Sequence, residues 1–188
     1  MPVRINKIVT KTGDQGETGL ADGTRISKGE LLMDCIGACD ELNAQIGNMR
    51  ASNALPEINS LDETIVTIQH RLFDIGAIIA RQDEAEEIEM LNTETDKLET
   101  LLEELNDGLP ELTSFVIPGG HTINTQAHLC RTECRRLERL LIRQHANVKI
   151  SASVLRYINR LSDFFFVYSR WTLKQLNISE VLWKPVKK

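Results

Sequence analysis

The chain has 188 residues, 41% of them apolar, with only 5 Pro and 11 Gly; such a chain suits one globular domain able to bury roughly 70% of its unfolded surface. A formal net charge of -5 argues against a general nucleic-acid binder, so any basic site has to be local. No run approaches ~18 apolar residues, and the start, Met1-Pro2-Val3-Arg4-Ile5-Asn6-Lys7, lacks the apolar centre of a signal peptide, so the expectation is a cytoplasmic protein with no membrane span.

The first ~26 residues differ in kind from the remainder. The stretch Lys7-Ile8-Val9-Thr10-Lys11-Thr12-Gly13-Asp14-Gln15-Gly16-Glu17-Thr18-Gly19 is dense in Gly, Thr and Lys. Glycine permits φ > 0 and close backbone approach, while hydroxyl and ammonium groups add donors, a loop chemistry suited to phosphates. It is not a P-loop, because no Gly-Lys-Ser/Thr closes it. Ser27-Lys28-Gly29-Glu30 has the spacing of a capping box and predicts the start of a first helix. Cys35, Cys39, Leu42, Ile46 and Met49 then step 4-3-4-3, the seam of a bundled helix. Asp40 lies beside that seam, where a partly buried carboxylate needs a cation. Ala51 to Pro56 breaks the helix.

A second seam runs through Ile58, Leu61, Ile65, Ile68, Leu72, Ile75 and Ile79 and reads as scaffold. The acidic run Asp83 to Glu89 reads as a solvated connection, and Thr93 with Asp96 predicts the start of a short helix carrying Leu98, Leu101, Leu102 and Leu105. Asn106-Asp107-Gly108-Leu109-Pro110 stops it. Phe115-Val116-Ile117-Pro118-Gly119-Gly120 is an apolar stretch ended by a sharp turn; Phe115 there is either a core plug or a residue facing a ligand.

The run from Asn124 to Arg143 has no Pro or Gly and reads as the fourth helix. Cys130, Cys134, Leu137 and Leu141 form its apolar stripe, with Arg131, Arg135 and Glu138 on the next face round. Two arginines a turn apart at the edge of a buried face suit a polyanion, with the Glu orienting them; the competing reading is a surface ladder of ion pairs. After a loop from Gln144 to Ile150, a fifth helix of roughly Ser153 to Gln175 carries Arg156, Asn159, Asp163 and Arg170 on one face. So polar a stripe in an apolar helix needs internal partners or a ligand. The tail from Asn177 holds Val181, Leu182 and Trp183, which can fold back onto the domain. Cys35/Cys39 and Cys130/Cys134 are spaced to offer thiolates to zinc, but both pairs sit in apolar stripes where free cysteine acts as a small hydrophobe. No set of His70, His121, His128 and His145 has metal-ligand spacing, no Glu-x-x-His pair of a di-metal bundle occurs, and no metal site is expected.

Five helices with seams and short loops predict an all-α protein, a five-helix antiparallel bundle with an irregular N-terminal nucleotide-binding arm. The expected division is a single domain over 1–188: arm 1–26, bundle 27–176 and tail 177–188. The residues themselves lead as far as a nucleotide triphosphate site and no further.

Five blocks in order resemble the PduO-type ATP:corrinoid adenosyltransferases: Thr10 to Gly19, Asp40-Glu41-Leu42-Asn43, Phe115 to Gly120, Arg131 to Arg139, and Tyr157-Ile158-Asn159-Arg160-Leu161-Ser162-Asp163. The resemblance implies a homotrimer with active sites between subunits. It implies that Thr10, Thr12, Gly13, Asp14, Gly16, Thr18 and Lys28 of one subunit wrap ATP, and that Arg135, Glu138 and Asn159 of the adjacent one complete the nucleotide site. Asp40 would pair with Arg131 across the interface. Phe115 would border the corrinoid and keep its lower axial ligand away, and Asp163 would support that face. The implied reaction is attack of Co(I) on the 5′-carbon of ATP, with Mg²⁺ sharing the triphosphate charge and no nucleophilic side chain; a reductase or an adenosylcobalamin-dependent acceptor enzyme would be a partner. The rival readings are an ATP-binding regulatory module without turnover and a structural bundle whose arginines only knit a trimer.

Overall fold

Apolar residues that recur at three- and four-residue steps are buried only when the helices bearing them lie side by side. A computed structural model describes residues 9, 11–52, 60–81 and 87–186. Among these residues five helices form an antiparallel bundle: α1 (Leu31–Ala51), α2 (Asp62–Arg81), α3 (Glu89–Asn106), α4 (Thr122–Gln144) and α5 (Ala152–Gln175). α4 and α5 are the central pair; α1 packs on α4 and carries α2, and α3 packs on α5.

The seams lie where their spacing puts them. Cys35, Cys39, Leu42, Ile46 and Met49 of α1 are buried, as are Leu61 and then Ile65, Ile68, Leu72, Ile75 and Ile79 of α2. Ile58, the first residue of the expected second seam, is outside the described residues. Each such side chain contributes roughly 1.5–3 kcal/mol by leaving water. The four cysteines are buried free thiols. Burial pushes Cys35 up to about 11, Cys39 and Cys130 up to about 12, and Cys134 well above the ordinary thiol range. All four are therefore protonated packing groups at neutral pH. On α5 an aromatic ladder fills the core, with Phe164 against Phe165 (5.3 Å) and Tyr168 (5.7 Å), and Tyr168 against Trp171 (6.0 Å).

Three local expectations are corrected. The Ser27–Glu30 capping box does not form: α1 begins at Leu31 with Glu30 as an uncapped N-cap. Ser27 instead ends a strand, and its Oγ accepts from Gly29 N within an exposed turn (3.1 Å). α3 begins at Glu89 rather than near Thr93, so Glu89 belongs to a helix and not to the acidic connection. A long-range contact sets that start: Ile88 N donates to Ser153 Oγ (2.9 Å), which in turn donates to Glu87 (2.8 Å).

The third correction concerns the arm, which contains a regular hairpin. β1 (Glu17–Gly19) pairs antiparallel with β2 (Arg25–Ser27). Its turn is closed by Leu20 N to Thr24 O (2.7 Å), with Gly23 at φ +87° and the Asp22 carboxylate accepting from Thr24 N (2.8 Å) and Oγ1 (2.7 Å). A second ribbon joins β3 (Val116–Ile117) to β4 (Val181–Leu182), so the C-terminal tail does fold back, onto the segment before α4.

Candidate active site

The arm folds around its glycines. Lys28 N donates to Gly16 O (2.8 Å), Gly16 N to Gly13 O (3.2 Å), and Lys28 Nζ to Gly13 O (2.8 Å). A Cβ at Gly13 would stand 2.9 Å from Lys28 Nζ, so glycine there permits the ammonium group to approach. Lys11, at φ +61°, occupies the left-handed region without being glycine, a conformation that costs about 1–3 kcal/mol and concentrates at binding loops. Arg25 ties the arm together through Glu17 (3.2 Å) and Thr12 O (2.8 Å). Thr12, Asp14, Gly16 and Lys28 are exposed, while Gly13 and Thr18 are half-buried. Thr10 lies outside the described residues. These bonds all lie within residues 12–28.

The second cluster is the edge of α4. Cys130, Cys134, Leu137 and Leu141 are fully buried, which turns Arg131 and Glu138 into half-buried edge positions and leaves Arg135 exposed. Arg131 Nε is buried with no hydrogen-bond partner, and burial, followed by repulsion from Arg135, holds its pKa below the usual guanidinium range. Glu138, expected from the spacing to orient the arginines, is itself held by α5: Asn159 Nδ2 donates to its Oε1 at 2.9 Å. Asn159 and Glu138, fifth and fourth helix, are thus brought together. Asp40 is exposed rather than partly buried, and no ion pair joins it to Arg131 among the described residues; α1 presents it outward because the cysteine seam turns the opposite face to the core.

The third cluster is the Phe115 ribbon. Phe115 is 79% exposed and is no core plug. Its ring tilts against Trp183 (centroids 6.1 Å apart), Trp183 N donates to Phe115 O (2.7 Å), and Ser114 Oγ donates to Trp183 O (2.7 Å). The polar stripe of α5 is largely answered from inside. Arg156 reaches Asn92, Arg160 donates to Asp163 (2.7 Å) and Glu99 (2.9 Å), and Arg170 is buried in a fork with Glu180. Asp163 is therefore half-buried and engaged by Arg160.

Sequence reasoning missed three contributors. Arg25 carried a signal, the Asp22-Gly23 pair that marks a hairpin turn and so places Arg25 opposite Gly19, a diagonal step on the same face from Glu17. Arg136, which pairs with Glu41 of α1 and Glu133 (2.7 Å), carried none beyond its charge. Trp183 had no local signal for its partner, because the pairing spans 68 residues (183 minus 115). Among the described residues no group of three or more His, Cys, Asp or Glu is placed to hold a metal ion, and no helix is long and apolar enough to cross a membrane.

Known proteins with this architecture point one way. Residues 8–172 match the sequence profile of the cobalamin adenosyltransferases. A cobalamin adenosyltransferase of Cupriavidus metallidurans is 39% identical over 182 residues, covering 96% of both chains. A corrinoid adenosyltransferase of Bacillus subtilis is 38% identical over 176 residues, covering 93% of this chain and 91% of the other. A solved structure of a phenylalanine-to-alanine variant of the PduO-type ATP:corrinoid adenosyltransferase from Lactobacillus reuteri, complexed with cobalamin and ATP, superposes with a TM-score of 0.86 at 27% identity, over 95% of this chain and all of that one. This chain belongs to the cobalamin adenosyltransferase family.

Proposed function

We propose that the protein transfers the 5′-deoxyadenosyl group of ATP to the Co(I) centre of a corrinoid, forming adenosylcobalamin and releasing triphosphate. The observation that carries the residue-level reading is Arg131. It is half-buried beside a second arginine, its Nε has no partner, and α4 supplies no carboxylate bonded to it. An uncompensated cation in that setting is stabilised by an anion from outside its own chain.

In this reading the active site lies between copies of a homotrimer. Asp40 of one copy meets Arg131 of the next, and the arm's Thr10, Thr12, Gly13, Asp14, Gly16, Thr18 and Lys28 wrap ATP against Arg135, Glu138 and Asn159 of that neighbour. The Co(I) electron pair forms the bond to the 5′-carbon as the bond from that carbon to the triphosphate oxygen breaks. Arg135 and Lys28 stabilise the charge that collects on the departing triphosphate, a preorganised donor effect of about 3–4 kcal/mol. Glu138, fixed by Asn159, orients the nucleoside side. Mg²⁺ bound with ATP would share the triphosphate charge, and Asp14 is an exposed carboxylate of the arm that would wrap it. Phe115 faces the corrinoid and disfavours its lower ligand, with Asp163 supporting that face. The whole chain acts as one domain in the cytoplasm, in cobalamin biosynthesis, served by a reductase or an adenosylcobalamin-dependent acceptor enzyme.

The test is anaerobic. Protein, chemically reduced cobalamin and MgATP are followed by visible absorbance and by triphosphate release. Conversion of the Co(I) spectrum to that of an alkylcobalamin is expected. ATP binding without conversion would instead leave a regulatory nucleotide-binding module.

A further inference from the structure

Three segments meet at the base of α5. Arg170 is 4% exposed, and its Nε and Nη2 donate to the two carboxylate oxygens of Glu180 at 2.8 and 3.0 Å. The same Nη2 donates to Pro110 O at 2.6 Å. Glu180 immediately precedes β4, and Pro110 lies five residues before Phe115. One guanidinium therefore holds both strands of the β3–β4 ribbon at their roots. Its planar fork of donors suits this task, which a lysine ammonium performs poorly.

The ribbon beyond that root is thinly held. β3 and β4 are two residues each, Val116 opposite Leu182 and Ile117 opposite Val181. Beyond them are Trp183 N to Phe115 O, Ser114 Oγ to Trp183 O, and the tilted Phe115–Trp183 ring pair. On its far side the turn is closed by Gly120, where an added Cβ would come within 3.0 Å of Ile178 and 3.2 Å of Leu173, and by Gly119 N to Asn124 Oδ1 (3.0 Å). A two-residue ribbon is not stable by itself. Phe115, nearly bare of packing, keeps its place through what anchors the ribbon.

We propose that Arg170, through its fork with Glu180 and Pro110, is a positioning residue for Phe115 and thereby governs whether the enzyme accepts a corrinoid whose cobalt carries a lower base. The inference rests on the reading that Phe115 faces the corrinoid. Loss of the fork lets the ribbon drift, and a misplacement of about 1 Å at a reacting centre costs up to ~10²-fold in rate. A corrinoid with no coordinating lower base needs no such exclusion and is spared.

The experiment compares turnover of cobalamin with that of cobinamide, which lacks the lower base, in wild type, Arg170→Lys, Ser114→Ala and Phe115→Ala. Arg170→Lys should cut the cobalamin rate about ten- to a hundredfold while cobinamide turnover changes by less than about threefold and the KM for ATP holds. Ser114→Ala, a half-buried loop change that leaves no buried charge, should shift the same ratio in the same direction by a smaller factor, and it carries the test if Arg170→Lys folds poorly. Equal loss on both corrinoids in Arg170→Lys, or an unchanged ratio in folded Ser114→Ala and Arg170→Lys, overturns the positioning role. If Phe115→Ala itself leaves the ratio unchanged, the proposal also falls, and the fault lies in the reading of Phe115 rather than in the fork.

Discussion

Arg131 and Arg170 sit on the two central helices, and both are removed from bulk water, yet they are treated in opposite ways. Arg170 is buried and answered by its own chain, with a carboxylate fork and a backbone carbonyl. Arg131 is half-buried with a buried Nε that nothing answers, and its neighbour Arg135 adds repulsion. In the proposed site this difference has a use: among the described residues nothing bonds Arg131 Nε, so an anion from outside the chain would answer it. On the proposed reading the base of α5 holds the fold and the Phe115 ribbon while the edge of α4 receives the nucleotide, and substitutions should separate stability and ribbon placement from nucleotide chemistry along that line.

The largest expected effect is at the base. Glu180→Ala leaves the Arg170 charge buried without its carboxylate and should destabilise the fold by about 3–5 kcal/mol, measured as a drop in urea midpoint at unchanged m. A loss below ~1 kcal/mol would mean that water reaches Arg170 and that the two arginines are not in different settings after all.

At the α4 edge the order reverses. Arg135 is exposed, so Arg135→Ala should leave the thermal midpoint within a few degrees of wild type while the rate of alkylcobalamin formation falls roughly 10²–10³-fold. A variant that melts early with kinetics intact would place Arg135 in the scaffold instead.

His128 lies between the two regions and reports on both. It is 4% exposed, near Ser169 Oγ (3.2 Å) and the edge of Phe166 (6.3 Å). Burial and then Arg131 push its pKa down to about 4, with Glu180 acting in the opposite sense. The unfolded chain, with a histidine near 6.5, takes up a proton that the folded chain refuses. His128 therefore contributes stability that is present above pH 6.5 and is lost as pH falls toward 4, at most about 3 kcal/mol. Urea titrations at pH 7, 5.5 and 4.5 should show His128→Gln with a flatter acid limb than wild type. Arg131→Met should soften the limb by a smaller amount, since it removes a cation that opposes the imidazolium. Identical limbs in all three proteins would remove His128 from the acid response and leave it to carboxylates such as Asp62 and Glu87, whose pKa values are lowered by Arg50 and by Ser153 respectively.

The same contrast explains which parts were legible in the sequence. The seams of α1, α2 and α4 were readable because each buried residue is specified by its own spacing, and the bundle followed. The arginine edge was readable because it adjoins such a seam. The capping box at Ser27 misled because Ser27 belongs to β2, and its hairpin pairing with Glu17, ten positions back, took precedence over a local capping motif. The start of α3 depends on Ser153, 65 residues away, and the seating of Phe115 on Trp183, 68 residues away. Arg170 stood in the right stripe, but its partner Glu180 lies beyond the end of α5, where helical periodicity gives no information. Asp40 is exposed within one chain, so the cation expected beside it has to come from outside that chain, and the spacing of a seam carries no information about that.

Asn159 gives the smallest effect and the finest test of the division. It is exposed, and its one described bond is to Glu138 on the neighbouring helix (2.9 Å). An exposed side-chain hydrogen bond competes with water, so Asn159→Ala should change stability by less than about 0.5 kcal/mol. If the pair exists to orient Glu138 toward a nucleotide, the loss appears where the ligand is: the KM for ATP should rise about three- to tenfold, the equivalent of one ordinary hydrogen bond, with the maximal rate changed less. A stability loss above ~1 kcal/mol with ATP kinetics untouched would place Asn159 with Arg170, as a structural tie, and would move the boundary between the holding and receiving parts of the bundle to the outer face of α4.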